Sequence, residues 1–381
     1  MIERFRKRGV FKEKKYFQLN FVPEEVYESE EISEVAKFFA DFIDYDFSDA
    51  IFLVGPSGTG KTLSVRYMIR EMRELTANIG VSYLNCRAFS TKYAAIRRIA
   101  MDLGIDIPVR GLGTSEAYEK LFERVRNFKK VLIVLDEVEK LRNYDNLIYN
   151  LTRASEIYEV DVPISIIFIS NNIHLFRILD DATSSSLNMK SIVFDRYNAD
   201  ELYEIIRYRA ENGLNSDIYD DAVLRYIAAK SARRSGDARL AISSLYKSAE
   251  FCDENDIKIT EEVVDKTFKE ALEEIELDTL KKIHFHALLI LYAMSKMIRK
   301  EEESVYIKEV YNKYRRICIE LGEEYMSYMH FYNHLSYLQS LDTVLLTKER
   351  GSRGGYRISA HLNVPASGVE KVLKERINEM Y

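Results

Sequence analysis

Apolar residues gather in five short runs over the first half of the chain, at 51–54, 81–84, 131–135, 164–169 and 192–194, all rich in Ile and Val or flanked by them. Runs of that length, separated by helix-period segments, predict buried strands of a parallel sheet with crossover helices between them. After Tyr197 the strand pattern stops. Residues 199–275 read as about four amphipathic helices, one of them opening at Gly236-Asp237. The pattern changes again after Ile275. Helical segments at about 279–300, 304–321 and 327–341 precede β-rich stretches at 343–347 and 356–359, joined by a Gly-rich turn at 350–355.

The chain has 381 residues, more than one hydrophobic core usually serves, so two or three domains are expected. Its net charge of −6 argues on its face against a nucleic-acid partner. The distribution changes that picture. Residues 1–15 carry seven basic and two acidic side chains, and residues 278–381 carry 16 and 13, which leaves a net of −14 for the stretch between. Both ends are basic, so contact with nucleic acid is expected to be local. Cys86, Cys252 and Cys318 show no metal or redox spacing and suit a reducing compartment. The absence of a signal-like leader or an apolar run of membrane length predicts a cytoplasmic protein with no membrane partner.

The strongest chemical signal is Gly55-Pro56-Ser57-Gly58-Thr59-Gly60-Lys61-Thr62, between the first strand and a helical segment that starts near Leu63. It matches the phosphate-cradling loop G-x-x-x-x-G-K-[ST] in full and in the required context. Glycines let backbone N–H groups turn toward phosphate oxygens, and the following helix adds its dipole. Lys61 is expected to reach the β- and γ-phosphates, and Thr62 to ligate Mg²⁺. The run 131–135 ends in Asp136-Glu137, which puts two acids at the carboxyl edge of the sheet, where ligands bind in open α/β folds. Asp136 is expected in the Mg²⁺ shell and Glu137 as the group that polarises the attacking water. Ser170-Asn171-Asn172 offers an amide at the same edge, and Gly236-Asp237-Ala238-Arg239 offers an arginine on a second lobe. Taken alone, the first of these fits a strand-ending turn better than a functional amide, and the second fits a capped helix equally well.

Together these four motifs resemble Walker A, Walker B, sensor 1 and sensor 2 of the AAA+ ATPases. The whole chain resembles the archaeal replication initiators related to the largest subunit of the origin recognition complex and to cell-division-control protein 6. Further matching stretches are Tyr83-Leu84-Asn85-Cys86-Arg87, Ser185-Ser186-Leu187, Tyr197-Asn198-Ala199 and Glu309-Val310-Tyr311. The resemblance implies an α/β AAA+ base with a five-stranded parallel sheet over residues 1–197, a helical lid over 198–277 and a winged helix over 278–381. It implies ATP/ADP and Mg²⁺ as cofactors, nucleotide contacts from Val22, Pro23, Leu63, Tyr197 and Arg239 beside the loop itself, and Asn171 as sensor 1. It also implies an initiator-specific helical insertion at about 87–113 that touches DNA through Lys92, Arg97, Arg98 and Arg110. One departure stands out. Where the family has Asp-Pro-Arg before Ser-Ser-Leu, this chain has Asp180-Asp181-Ala182, which implies poor activation of a neighbour in trans.

Three helices and a hairpin fit a winged helix on the residues themselves, with its third helix as groove reader. On that helix Tyr328, Phe331, Leu335 and Leu338 have core spacing, while His330, Asn333, His334 and Tyr337 are candidates to face DNA. The helix lacks Lys and Arg, so phosphate contacts are expected from the wing, at Lys348, Arg350, Arg353 and Arg357. The expected function is an ATP-dependent initiator that binds double-stranded origin DNA, hydrolyses ATP weakly as a conformational switch, and works with initiator paralogues and the replicative helicase. Two alternatives stand beside it: a nucleotide-locked regulator that restrains origins, and a clamp-loader-like ATPase.

Overall fold

The computed structural model describes residues 9–141, 144–172, 175, 189–298, 304–351 and 355–380. They divide into two units: one holds 22–55 and 59–195, the other the N-terminal segment through Phe21, Pro56–Gly58 at the tip of the phosphate loop, and everything from Arg196 onward.

The first unit is a parallel sheet with helices on its faces. Along the chain run α1 (Glu30–Asp44), β1 (Ala50–Val54), α2 (Lys61–Leu75), β2 (Ile79–Asn85), α3 (Lys92–Asp102), α4 (Thr114–Val125), β3 (Lys130–Asp136), α5 (Tyr144–Thr152), α6 (Ala154–Tyr158), β4 (Ile164–Ser170) and β5 (Met189–Val193). The strand order is β2-β3-β4-β1-β5, and every pairing is parallel. Strands are present at all five apolar runs, although the fifth, β5, starts three residues before its run and is buried only at Ile192. The central strands β1, β3 and β4 are buried at every position, because helices cover both faces. The edge strand β2 alternates buried and half-buried positions. One face packs Phe52, Ile133 and Phe168 with α3, α4 and α5; the other packs Leu53, Val134 and Ile167 with α1 and α2. Lys130 is the exception in this core: it opens β3 with its side chain only 2% exposed, and donates to the carbonyls of Phe42, Ile43 and Tyr45 at the end of α1 at 2.8–3.0 Å.

The second unit begins with four lid helices, α7 (Ala199–Gly213), α8 (Asp221–Arg234), α9 (Ala238–Asn255) and α10 (Glu261–Lys282). Each starts at a side-chain cap. At α7 Asn198 accepts from the amides of Asp200 and Glu201, while Glu201 returns a bond to the Asn198 amide at 2.8 Å. Residues 9–21 pack on these helices rather than on the sheet. Phe11 bridges Leu214, Phe17 enters the lid core, and buried Arg209 donates to the Tyr16 carbonyl at 2.9 Å. The expectation that the whole N-terminal stretch joins the base therefore does not hold for these residues: their aromatic side chains find apolar partners on the lid.

Helix α10 runs unbroken through the expected boundary at 277/278, and its Leu280 lies in the core of the next domain. There follow α11 (Phe285–Ser295), β6 (Val305–Tyr306), α12 (Ile307–Leu321), α13 (Tyr328–Ser340), β7 (Val344–Gly351), β8 (Gly355–Leu362) and α14 (Ala366–Met380). The three strands form an antiparallel sheet in the order β6-β8-β7. This is the expected winged helix, with β6 and α14 added. Phe331, Leu335 and Leu338 of α13 are fully buried. Tyr328 is 38% exposed instead: it sits in the first turn of the helix, edge-to-face with Tyr311 and stacked at 5.9 Å on Phe331, with the rest of its ring left to solvent.

Candidate nucleotide site and nucleic-acid surfaces

The strand order places the ends of β3, β4 and β1 side by side, so the phosphate loop, Asp136-Glu137 and Ser170 share one edge of the sheet. Gly55 leaves β1 at φ +152° with the Phe194 carbonyl oxygen 2.1 Å from where a Cβ would stand. Gly60, at φ +89°, is the left-handed N-cap of α2. Lys61, the first residue of α2, is buried, and its ammonium donates to the Gly55 carbonyl at 2.8 Å and to Thr59 Oγ1 at 3.3 Å. At the loop tip, Gly58 O accepts from the Ala238 amide at 3.2 Å, and the Asp237 carboxylate fills the space a Cβ on Gly58 would need.

Asp136 is 5% exposed. Its Oδ2 accepts from Thr62 Oγ1 at 3.0 Å and from the Tyr83 hydroxyl, and its Oδ1 accepts from the Glu137 amide at 2.9 Å. Burial pushes this carboxyl above the usual carboxylate range, while the Tyr83 and Thr62 hydrogen bonds oppose the shift and the neighbouring Glu137 adds to it. Glu137 takes a left-handed backbone conformation, φ +54° and ψ +45°, strain of the kind that active sites store. Its Oε1 accepts from Asn85 Nδ2 at 3.3 Å. Glu139 is half-buried, with its carboxyl held high by desolvation and accepting from Ser170 Oγ at 2.7 Å.

Loop, hydroxyl and carboxylate suit a magnesium nucleotide. Gly55, Gly58 and Gly60 take the positive φ that lets a loop aim backbone N–H groups at phosphate, the Lys61 ammonium is buried beside them, and Thr62 and Asp136 present two hard oxygen donors 3.0 Å apart. Asn171 stands next to Ser170 at this edge, half-buried. Leu63 is half-buried in the first turn of α2, Pro23 is buried, and the Val22 carbonyl accepts from Arg70 at 3.4 Å. In the other unit Tyr197 donates its amide to Gly236 O, and Arg239 is paired with its own Asp237, Nη2 to Oδ2, at 2.5 Å. Ala182 lies outside the described residues. Tyr83, Asn85 and Glu139 are site residues that the motif reading passed over. Tyr83 and Asn85 lie inside the Tyr83–Arg87 stretch already singled out, and parallel pairing of β2 with β3 sets Asn85 beside Asp136.

The insertion cations are largely engaged within the protein. Lys92 bonds Asn146, Arg97 bonds the Ile107 carbonyl at 2.7 Å, and Arg98 pairs with Asp102 at 2.7 Å. Arg110 is exposed. On the winged helix His330 and Asn333 are exposed, and so are Lys348 and Arg357, the latter over the Tyr306 ring. His334 and Tyr337 are half-buried instead, with the His334 ring 5.4 Å from that of His284 and Tyr337 against the core. Arg350 lies in β7 opposite Tyr356, and Arg353 lies outside the described residues.

Comparison with known proteins follows the same division. Residues 48–179 match an AAA domain model, 203–269 a Cdc6 AAA+ ATPase-type lid domain, and 278–372 a CDC6 C-terminal winged helix domain. The chain is 31% identical over 385 residues to an ORC1-type DNA replication protein of Thermococcus kodakarensis, covering 96% of this chain and 91% of that one. It is 29% identical over 380 residues to ORC1-type DNA replication protein 1 of Archaeoglobus fulgidus, covering 98% and 91%. Its fold is similar to Aeropyrum pernix ORC1, solved in complex with DNA, at a TM-score of 0.72 and 26% identity over 97% of both chains. It is also similar to Aeropyrum pernix ORC2, solved with ADPNP and ADP, at a TM-score of 0.67 and 20% identity over 98% of this chain and 99% of that one.

Proposed function

The chain belongs to the archaeal ORC1-type DNA replication proteins, and on that premise we propose that it is an ATP-dependent initiator that binds origin DNA and hydrolyses ATP slowly. The observation that carries the nucleotide half is the Thr62–Asp136 pair, closed over by Tyr83 and set at the mouth of a complete phosphate loop. Lys61 and the loop amides hold the β- and γ-phosphates, and Thr62 and Asp136 hold Mg²⁺, which when bound supplies charge neutralisation at the phosphates. Glu137 orients a water for attack on the γ-phosphorus. The bond to the ADP oxygen breaks, and ADP, phosphate and a proton leave. Asn171 and Arg239 are the sensor residues of this reading. Val22, Pro23, Leu63 and Tyr197 bound the nucleotide. The Asn85 bond to Glu137 supports slow turnover, because that carboxylate must leave the amide before it can address a water.

For DNA, the exposed Lys348 and Arg357 of the wing, with Arg350 and Arg353 beside them in sequence, contact phosphates, and His330 and Asn333 face the groove. Arg110, exposed on the insertion, contacts a phosphate directly, whereas Lys92, Arg97 and Arg98 must exchange internal partners for phosphates. Lid and winged helix share α10, so a nucleotide-driven change in the lid is transmitted to the DNA-binding domain without a flexible joint. Cooperation with paralogues and delivery of the replicative helicase complete the proposal. Footprinting of origin DNA tests it, with and without ATP, using the wild type, Glu137→Gln and Lys348→Ala/Arg357→Ala. Protection that weakens in the wing variant and responds to nucleotide is expected. An unchanged footprint in the wing variant refutes the DNA half. Fast single-turnover hydrolysis without DNA refutes the slow switch and favours the clamp-loader-like alternative.

A further inference from the structure

A cavity of about 570 Å³ opens on the base unit between α2, β2 and α3, and the nucleotide reading does not use it. Arg66, Arg70 and Arg73 line it from α2, at the i, i+4, i+7 spacing that puts side chains on one helix face. Arg98 lines it from α3, and Tyr83 from β2. Glu74 and Asp102 also border it, so four guanidinium groups face two carboxylates, an excess of positive charge in a chain of net −6. Asp102 is already occupied by Arg98 at 2.7 Å and Ser82 at 2.9 Å. Arg70 is anchored to the Val22 and Glu24 carbonyls. Arg73 is exposed and has no hydrogen-bond or ion-pair partner among the described residues. Arg66 lies over the Tyr83 ring, 4.9 Å from its centroid.

From this geometry we propose that the cleft binds phosphate groups and reports their presence to the nucleotide site through Tyr83. Every cation lining it is an arginine, whose planar fork matches phosphate oxygens in pairs. The volume falls in the range of small-ligand pockets, about 300–1,000 Å³. The report runs over two contacts. Arg66 sits on the Tyr83 ring, and the Tyr83 hydroxyl donates to the same Asp136 oxygen that accepts from Thr62. A phosphate that draws Arg66 away from the ring alters the donor set of Asp136. The phosphates come either from a free polyphosphate or from a nucleic-acid backbone. The coupling rests on the reading of Asp136 as a nucleotide-site acid; the binding does not.

The full chain, saturated with Mg²⁺ and a fluorescent ADP so that the phosphate loop is filled, is titrated separately with inorganic pyrophosphate, a 20-bp duplex and poly-glutamate. Either phosphate probe should bind the wild type, and Arg66→Ala/Arg73→Ala should weaken that binding about tenfold or more. Arg73→Ala alone removes an exposed side chain, so its expected loss is independent of folding. A loss seen with pyrophosphate identifies free polyphosphate as the source; a loss seen with duplex alone identifies the backbone. Equal affinity of wild type and both variants for both probes overturns the site, as does binding of poly-glutamate alone. The occupied cleft should also change the release rate of the fluorescent ADP at least twofold in the wild type. Tyr83→Phe should keep the anion affinity and lose that change. A Tyr83→Phe chain that responds like the wild type overturns the coupling and leaves the nucleotide-site assignment standing.

Discussion

Replacing Lys130 with Met keeps the length of the stem and removes the ammonium. That ammonium serves three carbonyl oxygens at the end of α1, from Phe42, Ile43 and Tyr45, and pairs with Asp46 at 3.1 Å. The carbonyls are the last orphan acceptors of a helix. Phe42 O is buried, and stranding a buried acceptor costs about 1–3 kcal/mol. The other two are partly buried and recover water, so about 1 kcal/mol each is a fair allowance. Asp46 is 69% exposed and rehydrates, which makes its contribution small. Lys130→Met should therefore destabilise the base unit by about 3–5 kcal/mol. The chain has no tryptophan, so urea unfolding followed by circular dichroism, with hydrogen exchange read separately on α1 and β3, is the suitable assay. Lys130 and Asp136 sit at opposite ends of β3, so nucleotide affinity of the folded protein should stay within about twofold of wild type. A stability loss under about 1 kcal/mol would refute the reasoning, because the carbonyls would then be satisfied without the ammonium.

Gly55→Ala places a Cβ 2.1 Å from the Phe194 carbonyl oxygen at a positive φ; about 1–3 kcal/mol of strain follows, and equilibrium binding of a fluorescent nucleotide should weaken by about tenfold or more. Burial raises the Asp136 carboxyl, and Mg²⁺ needs the ionised form. Magnesium-dependent nucleotide affinity should therefore fall on acidification at a higher pH than an ordinary aspartate would give, and calorimetry on Asp136→Asn should lose that dependence. Asn85→Ala frees Glu137 from its 3.3 Å bond; single-turnover hydrolysis should change at least threefold with nucleotide affinity unaltered, and an unchanged rate would show the bond to be idle. Lys348→Ala/Arg357→Ala should lower the slope of log affinity against log salt for duplex DNA by about 2, with little change in sequence preference.

Much of this protein is local and was legible as such. The five apolar runs became the five strands because a buried parallel strand needs little beyond β-branched and aliphatic residues over one short span. Gly55 to Thr62 declared a phosphate loop because its glycines and Lys61 act through their own backbone and their neighbours. Residues without a periodic or motif signature were not legible. Helix α14 and the two-residue strand β6 were missed because their apolar positions pack onto a core that other segments build. His334 and Tyr337 turned inward because a partner ring and a core surface lay within reach, which helical spacing cannot show.

The sequence by itself therefore determined the element order, the chemistry of the loop and the acids at the sheet edge, since each follows from residues adjacent in the chain. Only the tertiary structure decided what those groups lean on. Pairing of β2 with β3 brings Tyr83 and Asn85 to Asp136 and Glu137 across about 50 residues of chain, the fold of the first segment gives residues 9–21 to the lid, and the placement of α2 and α3 on opposite faces beside the edge strand β2 gathers four arginines into one cleft. These depend on register between distant strands and helices. Register is set by the summed burial of whole faces rather than by any residue that can be read singly.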